Sequence, residues 1–526
     1  MSESAYISYD TDYGNWYESY GEVMDMELVF QEYELMGQER VCTQCLQGEQ
    51  TADVIIPDSL PDVERIIDTF GTLVVQESRL LPGGVSLSGV VRGGVLFAGE
   101  TGTVHMLPVN IPFTARKEFG TEIEDGTLFY EMKLRSVDAR TVNSRKLLIR
   151  VGYQWGFEVY VSCGWKIRYL DEPSEHLQLR QREYPLRIPV ATGEKGFTVN
   201  EELELPSTCP GVAGILKICT RTQILEQKVM GGKGVFKMEL LLHVLYEDPQ
   251  GKLCTYDWRI PLSQITELSC ETHEGELQTS IHFTDLDLEP DSQQESHRLF
   301  LRAGIHCQSM AYELRTVKLM EDAYCTDGIL EPEWMQWQCR PLLDTQTLRG
   351  TARWTGEEAL GTVVDLWPRI EDEQKLQQGD SLEVCVPVVC SVLYYDGGGK
   401  LCGKQVRTSM EGELALNEDV ECRLHDALCT EIYCNASSGN PEIRIPMEIT
   451  VDCYGNQNFR TLQGGRIHPL TDSGEKGPSV ILRRIEGDEE LWDIAKYHRT
   501  SVKAIRDANA LEEGVVPSGT MLLIPL

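Results

Sequence analysis

The feature that most constrains this chain is a repeat. Val95, Val244 and Val392 each open the pattern Val-Leu-[Phe/Tyr]-x4-Gly-[Thr/Lys]-[Val/Leu], written VLFAGETGTV, VLYEDPQGKL and VLYYDGGGKL. The copies stand 149 and 148 residues apart. Val63, Val212 and Leu360 keep the same step, as do Ile66, Ile215 and Val363. Gly84, Gly232 and Gly379 precede the three motifs, and Ile-Pro pairs at Ile111 and Ile260 follow the first two. An ordered set at near-constant spacing marks one structural unit used three times.

Within each copy the texture is β. The runs 235–246 (VFKMELLLHVLY) and 384–394 (VCVPVVCSVLY) are rich in β-branched and aromatic residues and end in Gly/Asp turns. The x4-Gly segment reads as a hairpin connection. Ahead of it, the stretch 53–67 (DVIIPDSLPDVERII) carries Pro57 and Pro61, and Pro206 and Pro210 repeat that bracket. Proline fixes φ and restricts its predecessor, so the bracket makes a stiff corner. Val63, Ile66 and Ile67 follow at helical offsets and predict a short helix there. The third copy has Glu358 in place of the second proline and lacks the Ile-Pro pair.

The period divides the chain. Residues 1–33 form an acidic, Tyr-rich N-terminal segment; 34–182, 183–326 and 327–465 are the three repeats, the last diverged. The polar stretch 171–183 reads as a linker, 466–478 as a second one, and 479–526 as a small terminal module. Positions 1–40 hold ten acidic residues against one basic residue, Arg40, with Tyr6, Tyr9, Tyr13, Trp16, Tyr17 and Tyr20 interleaved. That composition builds no core and reads either as a flexible tail or as an aromatic docking segment. From Met24 an amphipathic pattern (Leu28, Val29, Tyr33, Leu35) predicts a short helix into the first repeat.

Net charge is −35 and the pI about 4.7, a surface that phosphate backbones repel, which argues against nucleic-acid binding. No apolar run reaches eighteen residues, so no transmembrane helix is expected. The start lacks a signal-peptide pattern, so the chain is expected to stay on the cytosolic side of the membrane in which it is made. The seventeen cysteines are then expected as reduced thiols, many buried as small hydrophobes.

Residues 480–526 read as strand, helix, helix, strand. In LWDIAKYH, Leu491, Ile494 and Ala495 share a face, and Thr500 or Ser501 caps a second helix with Val502 and Ile505. The run from Leu491 to Asn509, with Gly519 and the ending LLIP, resembles a LysM domain. That βααβ family is known for binding N-acetylglucosamine polymers such as peptidoglycan and chitin. The resemblance implies a groove formed by the loop before helix one and the loop after helix two. Its positions here are Asp488, Glu489, Glu490, Leu491, Trp492, Asn509 and Leu511. The family's Gly-Asp-Thr is replaced by Asp488-Glu489-Glu490, a poor match for a neutral sugar because buried carboxylates need partners. A protein ligand is therefore favoured over a glycan.

With that module in place, the stretch from Asp53 to Val63 resembles the opening of the DUF3794 (SPOCS) repeat domain. SPOCS repeats followed by one LysM domain are the layout of SipL-type spore coat morphogenetic proteins of clostridia. The resemblance covers residues 34–526. It implies a non-enzymatic scaffold in the mother-cell cytoplasm, at the forespore surface. Such a scaffold binds the coat-basement ATPase, stage IV sporulation protein A, and promotes coat encasement. A peptidoglycan-binding protein acting through the LysM domain is the alternative.

The expected fold class is mainly β: three repeated antiparallel β-rich domains with short helices, plus the βααβ module. No catalytic set, metal site or cofactor is expected. Cys42 and Cys45 form a single CxxC without a second pair. Cys422, His425, Cys429 and Cys434 are denser, but ALCTEIYC alternates like a strand, which favours core cysteines over zinc. GGGK (397–400) and GGKG (231–234) do not fit GxxxxGK[ST], and neither HExxH nor GxSxG occurs.

Overall fold

The protein is described from a computed structural model covering residues 26–120, 122–170, 176–270, 272, 274–291, 297–371, 374–378, 380–416, 420–429, 431–436, 440–469, 479–485, 489–511 and 517–526. The fold is mainly β, with two short helices among the described residues.

Each repeat uses six strand positions. In the first they are β2 (Gln31–Ile55), β3 (Arg65–Leu81), β4 (Gly84–Ala98), β5 (Val104–Glu118), β6 (Gly126–Asn143) and β7 (Lys146–Tyr169), preceded by a short β1 (Met26–Glu27). The second has β8 (Leu177–Glu204), β9 (Gly214–Met230), β10 (Lys233–Glu247), β11 (Leu253–Glu267), β12 (Glu276–Pro290) and β13 (Arg298–Cys325). In each, three consecutive strands make one antiparallel sheet (β3-β4-β5, β9-β10-β11). The flanking strands make a second, β2-β7-β6 or β8-β13-β12, and the two sheets share one core.

The third repeat is the same plan with breaks. Its strands are β14 (Gly328–Cys339), β15 (Leu342–Thr355), β16 (Thr362–Ile370), β17 (Gln374–Gln378), β18 (Ser381–Tyr395), β19 (Leu401–Ala415), β20 (Val420–Cys429), β21 (Tyr433–Asn435), β22 (Glu442–Gly455) and β23 (Gln457–Pro469). β14 and β15 together replace one long strand, interrupted at Arg340 and Pro341, because proline cannot donate to the ladder. β22 and β23 replace its partner.

The motif valines and leucines have separate tasks. Strand side chains alternate between faces. Val95, Val244 and Val392 therefore point into their own repeat's core. Leu96, Leu245 and Leu393 point the other way, into one small core drawn from all three repeats. The motif glycines, Gly102, Gly251 and Gly399, close the β4–β5, β10–β11 and β18–β19 hairpins with φ of 78°, 79° and 77°. Each donates its N–H to the carbonyl three residues back, at 2.9 Å. Positive φ is the conformation glycine adopts without steric cost.

The proline corner is a turn, not a helix start. Leu60 N bonds Pro57 O at 3.0 Å, and Cys209 N bonds Pro206 O at 2.9 Å. Strands β3 and β9 follow where a short helix was expected. The helix-like spacing of Val63, Ile66 and Ile67 has a different cause, a β-bulge that shifts the register between Ile66 and Asp68. Equivalent shifts stand beside Leu216 and between Val363 and Asp365. A bulge lets two adjacent residues serve one face, and here Ile67, Leu216 and Val364 reach the shared central core. The helix expected from Met24 is likewise replaced by strand from Met26, with residues 24 and 25 outside the described set. Residues 177–183 belong to β8 rather than a linker, and β23 runs to Pro469, past the expected end at 465. Their polar side chains occupy the exposed or half-buried positions of paired strands.

The repeats close into a ring. Arg92 reaches Asp285 at 2.6 Å between the first and second. Gln278 reaches Asp452 at 2.7 Å between the second and third. Arg423 reaches Glu158 at 2.6 Å, and Arg40 reaches Glu421 at 2.9 Å, between the third and first. The long strand pairs β8–β13, β2–β7 and β14–β23 extend as ribbons, the first spanning 28 residues, or roughly 90 Å. Their outer halves pack through Trp165, Trp337, Phe459 and Tyr184.

Candidate functional site: a seated terminal module and an axial charge cluster

The terminal module is β24 (Val480–Arg484), α1 (Leu491–His498), α2 (Val502–Asn509) and β25 (Met521–Pro525), with β24 and β25 antiparallel. Ser501 caps α2, its hydroxyl accepting from Ala504 N at 3.0 Å. Ile485, Ile494, Ala495, Ile505, Leu522 and Ile524 form the core. One further member comes from outside the module: Tyr324 of β13.

That residue belongs to a seat on the second repeat. Tyr324 donates its hydroxyl to Thr500 O at 2.7 Å and meets the Trp492 ring edge-on at 5.0 Å. Trp492 Nε1 donates to Asp322 Oδ2 at 2.8 Å, and Lys496 Nζ lies 2.6 and 2.7 Å from the same carboxylate. Arg180 of β8 bonds Glu490 at 2.7 Å. Burial alone would raise the Asp322 carboxyl, but the bonds from Lys496 and Trp492 outweigh it and hold it below the usual range.

The sequence-derived groove residues thus have several tasks. Glu490 and Trp492 face the second repeat. Glu489 pairs with Arg483 at 2.5 Å within the module. Leu491 and Leu511 pack against the core. Asn509 ties α2 to β25, donating to Ile505 O and Leu523 O and accepting from Leu523 N. Asp488 lies outside the described residues. The module's opposite face is open: Val480, Leu482, Met521 and Leu523 are 51%, 65%, 55% and 41% exposed.

Sequence reasoning missed the partners in this seat, Arg180, Asp322 and Tyr324. It also missed a second constellation, although the repeat spacing carried the signal. Directly after the bulges come Asp68, Lys217 and Asp365, the same position in the three copies. They meet at the ring's centre. Lys217 Nζ lies 2.8 Å from Asp68 and 2.9 Å from Asp365, all three buried. Ser391 donates to Asp68 at 2.6 Å. His243 lies 2.6 Å from Asp365 through Nε2 and 2.5 Å from Asp257 through Nδ1. Burial would lower the imidazole, but the bonds and charges of Asp257 and Asp365 raise it to about 9. Burial would raise Asp365, and Lys217 and His243 hold it far below the carboxylate range. Two buried carboxylates are thereby matched by two buried cations.

The cysteine candidates do not assemble. Cys422 faces Cys453 at 3.9 Å, while His425 bonds Asp452 at 2.7 Å. Among the described residues no group of three or more His, Cys, Asp or Glu side chains is placed to hold a metal ion. All seventeen cysteines are free thiols, and burial pushes Cys307, Cys339 and Cys390 up to about 12. No helix among the described residues is long and apolar enough to cross a membrane. Comparison with protein-family models, curated proteins and solved structures finds no match for this chain.

Proposed function

We propose that this protein is a non-enzymatic scaffold of spore coat assembly. It binds the coat-basement ATPase, stage IV sporulation protein A, and promotes coat encasement of the forespore from the mother-cell cytoplasm. The observation that carries this reading is the seated module. A ring of three repeats presents a small βααβ unit at the outer end of one ribbon, fixed through Trp492, Lys496 and Tyr324. Its β24–β25 face stays open. That is the arrangement of a presented docking unit on a stiff body. A catalytic reading has little to work with. His243, the buried histidine of the axial cluster, has both ring nitrogens engaged by carboxylates, so neither serves as a base.

The test is binding of the purified chain to the purified ATPase. Leu482→Glu with Leu523→Glu blocks the open face. Trp492→Ala with charge reversal at Glu489 and Glu490 breaks the seat and the loop. Loss of binding with either pair supports the module as the docking unit. Unchanged affinity with both overturns it.

One observation favours a glycan-binding alternative. Glu489 and Glu490 are each paired with an arginine, so their charges are compensated. Saturable co-sedimentation of the full chain with insoluble peptidoglycan, lost in the Leu482 and Leu523 variant, would select this reading over the protein partner.

A further inference from the structure

Between the three repeats lies a chamber of about 380 Å³, bounded by β3, β9 and β16 with contributions from β6, β12, β18, β19, β20 and β22. It has space for roughly a dozen water molecules and falls in the size range of ligand sites. Its walls carry aromatic and cationic side chains, Phe70, Trp367, Arg221, Arg369 and Lys133, with one carboxylate, Glu131, beside the lysine. We propose that this chamber is a binding site for a small anion bearing a carboxylate or phosphate group.

Most of the cations lining the chamber have partners. Lys133 lies 3.2 Å from Glu131. Lys217 is matched by Asp68 and Asp365, and His425 by Asp452. Arg221 and Arg369 remain, and among the described residues neither forms an ion pair. Arg221 lies over the Trp367 ring at 5.0 Å and donates only to carbonyls, Cys429 O at 2.7 Å and Pro368 O at 3.4 Å. Arg369 Nε is buried without any hydrogen-bond partner, and so is Thr220 Oγ1 on the same wall. Glu371 and Asp138 act on Arg369 only through space, and burial lowers its affinity for the proton.

Arg369 is half-buried, and a guanidinium nitrogen shielded from water without an acceptor is costly. The guanidinium's planar fork matches carboxylate and phosphate oxygens. Arg221 and Arg369 also hold the same repeat position, four residues after Lys217 and Asp365, where the first copy has Thr72. Two copies therefore direct a guanidinium at one cavity inside a chain whose net charge is −35.

The test titrates the full chain with inorganic phosphate and, separately, citrate. Isothermal calorimetry and phosphorus NMR line broadening read binding, and the two probes separate a phosphate from a carboxylate preference. Wild type is expected to bind at least one of them saturably, one per chain. Arg369→Met weakens that binding about tenfold or more, as loss of a charge-assisted hydrogen bond does. Without added anion, Arg369→Met is expected to be as stable as wild type or more so, which a purely structural arginine would not give. Absence of saturable binding of both probes to wild type, or equal affinity in a folded Arg369→Met, overturns the proposal. Arg221→Lys, which keeps the charge and loses the fork, repeats the comparison if Arg369→Met does not fold.

Discussion

Lys217 places its ammonium 2.8 Å from the Asp68 carboxylate across the junction of the second and first repeats, where both side chains are almost wholly shielded from water. The same ammonium reaches Asp365 of the third repeat at 2.9 Å. One cation therefore ties all three copies.

Removing it leaves buried Asp68 without a cation and Asp365 with His243 alone. Lys217→Met is expected to lower stability by about 3–5 kcal/mol, the range for breaking a buried ion pair from one side. The triple variant Asp68→Asn, Lys217→Met, Asp365→Asn recovers most of the loss, because the desolvation cost disappears together with the attraction. Urea unfolding at neutral pH measures both. A single-variant loss below about 1 kcal/mol would show that the cluster is not a structural tie.

The cluster also sets a pH window. His243 is raised to about 9 in the folded chain, against an ordinary 6.5. Its contribution is fully present below 6.5 and is lost as pH rises through 9. Asp365 is held down, so its contribution is present above the ordinary carboxylate range and is lost in acid. Thermal midpoints measured from about pH 6 to about pH 10 should fall on the alkaline side. His243→Asn should flatten that slope; an unchanged slope would assign it to another group.

One carboxylate accepts two of the contacts that seat the module. Asp322→Ala removes the acceptor of Trp492 and Lys496. Amide exchange in α1 should quicken about tenfold or more, given the usual strength of hydrogen bonds to charged groups. Mass-spectrometric hydrogen exchange reads this, with the core strands β10 and β18 as an internal reference that should not move. Equal exchange in α1 would mean the module is held by Tyr324 and the Arg180–Glu490 pair.

Gly403 tests closure of the ring. A Cβ there would stand 1.8 Å from the Ile67 carbonyl oxygen of the first repeat. Gly403→Ala should cost about 1–3 kcal/mol, as overpacking does, by forcing β19 away from β3. Gly397→Ala, where a Cβ meets nothing within 4 Å, should change stability by less than about 0.5 kcal/mol. A similar cost at both sites would remove the packing explanation.

How much of this was legible beforehand depended on the kind of signal. Spacing found the three copies and the hairpin glycines, since Gly102, Gly251 and Gly399 are fixed by a local backbone requirement. Spacing misled at Ile66 and Ile67, because a bulge produces the same offsets as a helix turn. Polarity misled at residues 177–183, where exposed positions of a strand look like a linker. The module's strand and helix order was readable because each element has its own periodicity and cap. Its seat was not, because Asp322 and Tyr324 lie about 170 residues from their partners and have no pattern of their own. The axial residues were readable only by aligning the copies and asking which positions differ in charge.

That difference in charge has a consequence for how such a chain can change over generations. At the ring's centre the three copies contribute acid, base and acid at one equivalent position. A gene carrying three identical copies would bring three carboxylates, or three ammoniums, to a single dry point, and neither set can stay ionised there. The copies are therefore no longer interchangeable. Recombination that swaps the second for the first, or drops one, would deliver a ring with mismatched ionic valence. Their outward faces are under no such tie and are free to specialise.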